Sequence, residues 1–155
     1  MTALLSAHEI EVLLPAGWEG EIYRRPGGNG STSFPVMHLT NFPLPAVRGD
    51  FGSGVVELME PSSVFISLFE YGPQSVGKAL FSRNSFPRAV TGEDFHPNRL
   101  HRIISGQLGF QRFLEESARA FCLYIVVGGR AKFGGLLGEI NRVLPSISIA
   151  TTRPV

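Results

Sequence analysis

The residues best suited to chemistry are few in this chain, and they stand at spacings that chemistry seldom uses. Ser53 lies in Gly52-Ser53-Gly54, but a hydrolase nucleophile needs a strand-to-helix elbow of the form G-x-S-x-G, which is missing. Asp50 and Glu70 could act as paired carboxylates in sugar chemistry, yet nothing in their spacing brings them together. His96 and His101 are close in sequence, but Pro97 stands between them. Zinc on a helix wants ligands three or four residues apart and a full set of three or four. Cys122 is the single cysteine and sits in the most apolar run, where a thiol packs as a small hydrophobe rather than ionising. The glycine-rich stretch 26–33 (PGGNGSTS) lacks the helix that a phosphate cradle requires directly after it, since Phe34-Pro35-Val36 follows. Arg48-Gly49-Asp50 would serve in adhesion only outside the cell, a setting for which the sequence offers no argument. These residues predict no catalytic centre, no cofactor and no metal.

Composition narrows the partners. A net charge of +1, with the arginines scattered, gives no electrostatic case for nucleic acid or an anionic membrane. The longest apolar run, 120–127, falls far short of the ~18 residues that span a bilayer. No basic residue precedes Arg24, which argues against a secretory signal and for a cytoplasmic protein. The 155 residues suit one globular domain over 7–150 with a polar tail at 151–155. With 18 glycines and 11 prolines, that domain should be rich in loops.

The framework that must position these residues is read from periodicity. Ala120 to Val127 (AFCLYIVV) and Val64 to Tyr71 (VFISLFEY) are apolar on both sides of a period of two, which predicts central strands. His8 to Leu14 alternates as a half-buried strand, and Trp18 to Arg25 is expected to return as its antiparallel partner across Pro15-Ala16-Gly17. Val36 to Asn41 predicts a third strand, with His38 alternating with Met37 and Leu39. Ser53 can cap a short helix over Gly54 to Met59, two short strands being the other reading. Gln74 to Arg99 is a long polar excursion pinned by aromatics, and Leu100 to Ile104 has the character of a short strand. Phe110 to Glu115 should pair with 120–127 across Glu116 to Arg119. Ala131 to Leu144 carries an apolar stripe of Phe133, Leu136, Leu137, Ile140 and Leu144, a helix ended by Pro145. A last edge strand is expected over Ser146 to Ala150. The fold class is α/β: a mainly antiparallel sheet with helices packed on its faces.

Glu11-Val12-Leu13-Leu14-Pro15-Ala16-Gly17-Trp18 resembles the strand–Pro–x–Gly–Trp opening of PsbP-like domains. The late hairpin, the helix Gly135–Leu144 and the short terminal strand are similar too. The whole chain resembles small bacterial proteins with segments such as Gly49-Asp50-Phe51-Gly52, Glu70-Tyr71-Gly72 and Phe121–Val127. The resemblance implies a PsbP-like sandwich and, because such domains mostly serve as adaptors, binding rather than catalysis.

The functional expectation is therefore a non-enzymatic interaction or adaptor domain, with a protein partner or a second copy of the chain as the occupant. The alternative is a small-ligand-binding domain using the aromatic-rich 73–99 region; an enzyme is the least favoured reading. The candidate interaction residues are Arg48, Asp50, Phe51, Glu70, Gly134 and Gly138. Arg48 and Asp50 flank Gly49 in a loop stiffened by Pro43 and Pro45, which suits either an exposed rim or an internal ion pair. Glu70, at a strand end, should sit at the sheet rim or meet an arginine, since an unpaired buried charge is costly. Gly134 and Gly138 fall opposite the apolar stripe of their helix, where glycine is costly and close approach of another backbone is one reason for it. The other reading is that the helix begins only after Gly135.

Overall fold

A computed structural model describes residues 2–24 and 33–152. The glycine-rich stretch 26–32 and the end of the tail, 153–155, lie outside the described residues. In chain order the elements are β1 (Ala3–Ala7), β2 (Ile10–Leu14), β3 (Glu19–Arg24), β4 (Pro35–Thr40), β5 (Val64–Glu70), α1 (Ala79–Ser82), β6 (Leu108–Glu116), β7 (Arg119–Val127), α2 (Phe133–Val143) and β8 (Ser148–Ile149). They form two antiparallel sheets, β1-β2-β8 and β3-β4-β5-β7-β6. The class is mixed α/β with few helices. β5 and β7 are interior strands of the larger sheet, and every residue of both is buried, as their two-sided apolarity predicts.

The two faces of the larger sheet are covered differently. On the first face, Met37, Leu39, Ile66, Leu68, Leu123 and Ile125 form the main core. Ile10, Val12 and Leu14 of β2 close it, together with Leu136, Ile140 and Val143 of α2. On the second face, Phe65, Tyr124 and Val126 are covered by Val55, Val56 and Leu100 from loops. Prolines 43 and 45 and the glycines between 49 and 54 leave that covering segment little chance to propagate a helix. It holds only a single 3-10 turn at Val56–Leu58, in place of the helix expected over 54–59. The segment 100–104 is likewise a loop rather than a strand.

The opening hairpin is different from the one expected. β2 pairs with β1 and β8, while β3 pairs with β4. The Pro15–Gly17 turn, with Gly17 at φ +85°, carries the chain from one sheet to the other instead of folding it back. The 73–99 excursion runs from the second face, with Phe81 against Phe113, around the β6 edge to the main core. There Phe86, Val90 and Phe95 are buried. It then returns past the edge at His96, which bridges to Gly109.

Candidate functional site

Strand alternation puts His38 of β4 and Ser67 of β5 side by side on the second face, and both are fully buried. Two polar groups in that position require partners, and the loop after β4 supplies them. Arg48 folds back so that its Nε–H donates to His38 Nδ1 at 2.7 Å. The His38 Nε2–H donates to the Asp50 carbonyl oxygen at 2.8 Å, and the Ser67 hydroxyl donates to the same oxygen at 2.6 Å. The Asp50 carboxylate accepts from the Tyr23 hydroxyl at 2.8 Å, and Arg48 forms an ion pair with Glu21. A further bond from Arg48 Nη1 to Pro45 O, 2.8 Å, closes the loop on itself.

The electrostatics follow from this packing. Burial lowers the His38 pKa to about 4, and the adjacent Arg48 charge acts in the same direction against the Asp50 and Glu21 carboxylates. The ring is therefore neutral at physiological pH. Burial, with the Asp50 hydrogen bond next, raises the Tyr23 pKa. Burial pushes the Cys122 thiol up to about 12, so it holds its proton. His38 thus has both ring nitrogens engaged inside the protein, a positioning arrangement with no ring atom left for a substrate. Among the described residues no group of three His, Cys, Asp or Glu side chains is arranged to hold a metal ion. None of their helices is long and apolar enough to cross a membrane.

Above this network lies an aromatic stack. Phe51 is sandwiched between Phe69, centroids 5.2 Å apart, and His101, 4.4 Å apart and nearly parallel. The Tyr124 hydroxyl accepts from the His101 backbone N–H at 2.8 Å, and His101 Nε2 meets Gln111 Oε1 at 2.5 Å. Arg102 pairs with Glu57 at 2.8 Å, and Gln107 Nε2 donates to Val56 O at 2.8 Å. The last two ties and the Phe51–His101 stack join the segment 100–107 to the segment 42–59 in one layer, and the first two hold it to the sheet. A cavity of about 280 Å³ opens between them, bordered by Phe51, Val56, Glu57, His101, Arg102 and Tyr124. Three large apolar side chains of the layer are exposed, Val47 at 89%, Ile103 at 75% and Leu58 at 63%, beside the exposed Arg102.

The six candidate residues divide three ways. Arg48, Asp50 and Phe51 meet in this layer, with Arg48 paired to Glu21 and not to Asp50. Glu70 is elsewhere, in a buried fork with Arg119: Oε2 to Nε 3.0 Å and Oε1 to Nη2 2.6 Å. The remaining Arg119 hydrogens reach the carbonyls of His8, Glu9 and Ala150, tying the small sheet to the large one. Gly134 and Gly138 lie on the outer face of α2, which begins at Phe133 and so includes both. Nothing approaches within 4 Å of where their Cβ atoms would be.

Several residues of the layer escape sequence reasoning. Tyr23, Glu21 and His101 reach their partners across 10 to 27 residues of chain, and no local spacing announces such contacts. His38 is the exception, because a polar side chain alternating in an otherwise apolar strand signals a buried polar partner. Comparison of the chain with protein-family models, with curated proteins and with solved structures finds no match.

Proposed function

We propose that the protein is a non-enzymatic interaction module whose docking surface is the loop layer formed by 42–59 and 100–107. The observation that carries this reading is the exposure of Val47, Leu58 and Ile103 on two loops tied to each other, the first of them held to the sheet by the His38–Arg48–Asp50 network. Apolar tips held by a rigid base lose little conformational freedom on binding, which favours affinity. Phe51 in the same layer and the exposed Arg102 next to Ile103 are of residue types enriched at interfaces. The resemblance of the sequence to PsbP-like domains supports the same adaptor role.

The test replaces Val47, Leu58 and Ile103 together by Glu. All three are exposed, so the fold should be retained. The wild-type chain is expected to retain a protein at stoichiometric amount from a lysate of cells that carry its gene, and the triple variant to lose it at unchanged melting temperature. Equal capture by both chains, or none by the wild type, contradicts the reading.

Small-ligand binding is the second reading, and the cavity beside Phe51 and His101 is what favours it. At about 280 Å³ it sits near the lower end of the roughly 300–1,000 Å³ typical of ligand sites. The aromatics of 73–99 support it less, since Phe81, Phe86 and Phe95 are buried against the sheet. A small molecule retained through dialysis and seen by native mass spectrometry would favour this reading.

A further inference from the structure

The β6 edge of the large sheet is closed at two points and open between them. At one end the His96 N–H donates to Gly109 O at 2.9 Å and the Gly109 N–H to His96 O at 3.0 Å. At the other, the Glu115 N–H donates to Asn84 O at 3.0 Å, and Asn84 Nδ2 donates to Phe113 O at 3.1 Å. In an antiparallel ladder, outward-facing backbone groups belong to alternate residues. Gly109 and Glu115 face outward, so Gln111 and Phe113 do as well. The Gln111 N–H, the Gln111 C=O and the Phe113 N–H have no hydrogen-bond partner among the described residues. They open onto a cleft of about 380 Å³.

The charges around the cleft are asymmetric. Arg99 and Arg112 line it, and among the described residues neither makes an ion pair. Arg112 leans over the Phe110 ring at 5.3 Å, and Arg99 follows the turn that passes Gly109. Both cations therefore belong to the Gly109 end. Of the two carboxylates in the lining, Asp94 is occupied by Thr91, accepting its N–H at 2.8 Å and its hydroxyl at 3.3 Å. Glu93 alone opposes two uncommitted arginines.

We infer that this cleft binds the carboxy-terminal end of an extended polypeptide as a short antiparallel strand on β6. One residue of the incoming chain exchanges both backbone bonds with Gln111. Antiparallel direction carries the incoming terminus toward Gly109, where the turn at His96 stops the strand and the two guanidinium groups meet its carboxylate. The opening from Gly109 to Phe113 is about 14 Å at 3.4 Å per residue, enough for two or three residues of strand between the closures. A continuous strand from mid-chain would meet both closures, whereas a chain end meets only the one at Asn84, where the preceding residues must turn away from the edge. The site includes none of Val47, Leu58 and Ile103, and it stands whether or not that surface docks a partner.

The test uses ¹⁵N-labelled full-length protein and two probes: a mixture of N-acetylated tetrapeptides randomised at every position with free carboxyl ends, and the same mixture amidated. The free-acid mixture is expected to shift the Gln111 and Phe113 amide resonances, with apparent affinity weakened about tenfold by amidation, as loss of a charge-assisted contact implies. Arg112→Gln should weaken the response similarly while leaving the remaining spectrum unchanged. Gln111→Pro removes the outward N–H, which edge strands tolerate, together with the side-chain contact to His101 Nε2, and should abolish it; Gln111→Ala, which removes the side-chain contact alone, should leave the response in place. No shift at Gln111 and Phe113, an equal response to both mixtures, or an undiminished response in Arg112→Gln would overturn the inference.

Discussion

Arg119 ties the small sheet to the large one through a single buried side chain. Its five N–H groups reach the Glu70 carboxylate and three backbone carbonyls from the small sheet. Removing one partner of a buried ion pair leaves the other charged and unsolvated. Arg119→Ala is therefore expected to lower unfolding stability by about 3–5 kcal/mol, measured by urea denaturation. His38 makes a second prediction at this scale. Its folded pKa of about 4 lies below the ~6.5 of an unfolded chain, so between those values the unfolded state binds more protons. Stability is then full above pH 6.5 and falls as pH drops toward 4, with a slope of up to about 1.4 kcal/mol per pH unit from this group. The groups acting on the ring are Arg48, Asp50 and Glu21, and the Tyr23 ring meets it edge-on. Denaturation curves from pH 7 to pH 4.5 should show that slope in the wild type and a flatter one in His38→Gln.

At the scale of elements, two hairpins turn without glycine. His8 and Glu9 between β1 and β2, and Ser117 and Ala118 between β6 and β7, all have φ between +52° and +61°. Such two-residue turns match the strand twist but strain L-residues by roughly 1–2 kcal/mol each. Glycine relieves that strain and adds some unfolded-state entropy. Ala118→Gly should therefore stabilise the fold by about 0.5–1 kcal/mol, read as a rise in denaturation midpoint. The converse holds on α2: Gly138 has open space around it, and Gly138→Ala should also stabilise, by roughly 0.5–1 kcal/mol. Of these elements, α2 and the strands β5 and β7 were legible because burial on one stripe, or on both faces, leaves a periodic mark. The β6–β7 turn holds only Ser117-Ala118, shorter than the loop expected over Glu116 to Arg119, because it lacks the glycine or asparagine that normally marks left-handed backbone. β1 left no mark at all. Ala3-Leu4-Leu5-Ser6-Ala7 has no β-branched or aromatic residue, and only pairing with β2 makes it a strand. The sequence around β3 marks a strand but not the sheet it joins, because alternation specifies a buried face without naming the neighbour.

For the whole molecule, the large sheet is sealed by a sheet and a helix on one face and by loops on the other. The loop-covered face concentrates the polar network, the aromatic stack and the exposed apolar tips. Candidate residues Arg48, Asp50 and Phe51 stand out in an unusual loop, yet their partners Tyr23 and His101 are set by tertiary register alone. The central claim, that this layer docks a protein, is tested most directly by placing a photo-cross-linking amino acid at position 103 and, separately, at position 134 on the outer face of α2. Cross-linking in cells, followed by mass spectrometry, should yield one dominant protein adduct from position 103 and none from position 134. Equal adducts at both positions, or an adduct at 134 alone, would contradict the account.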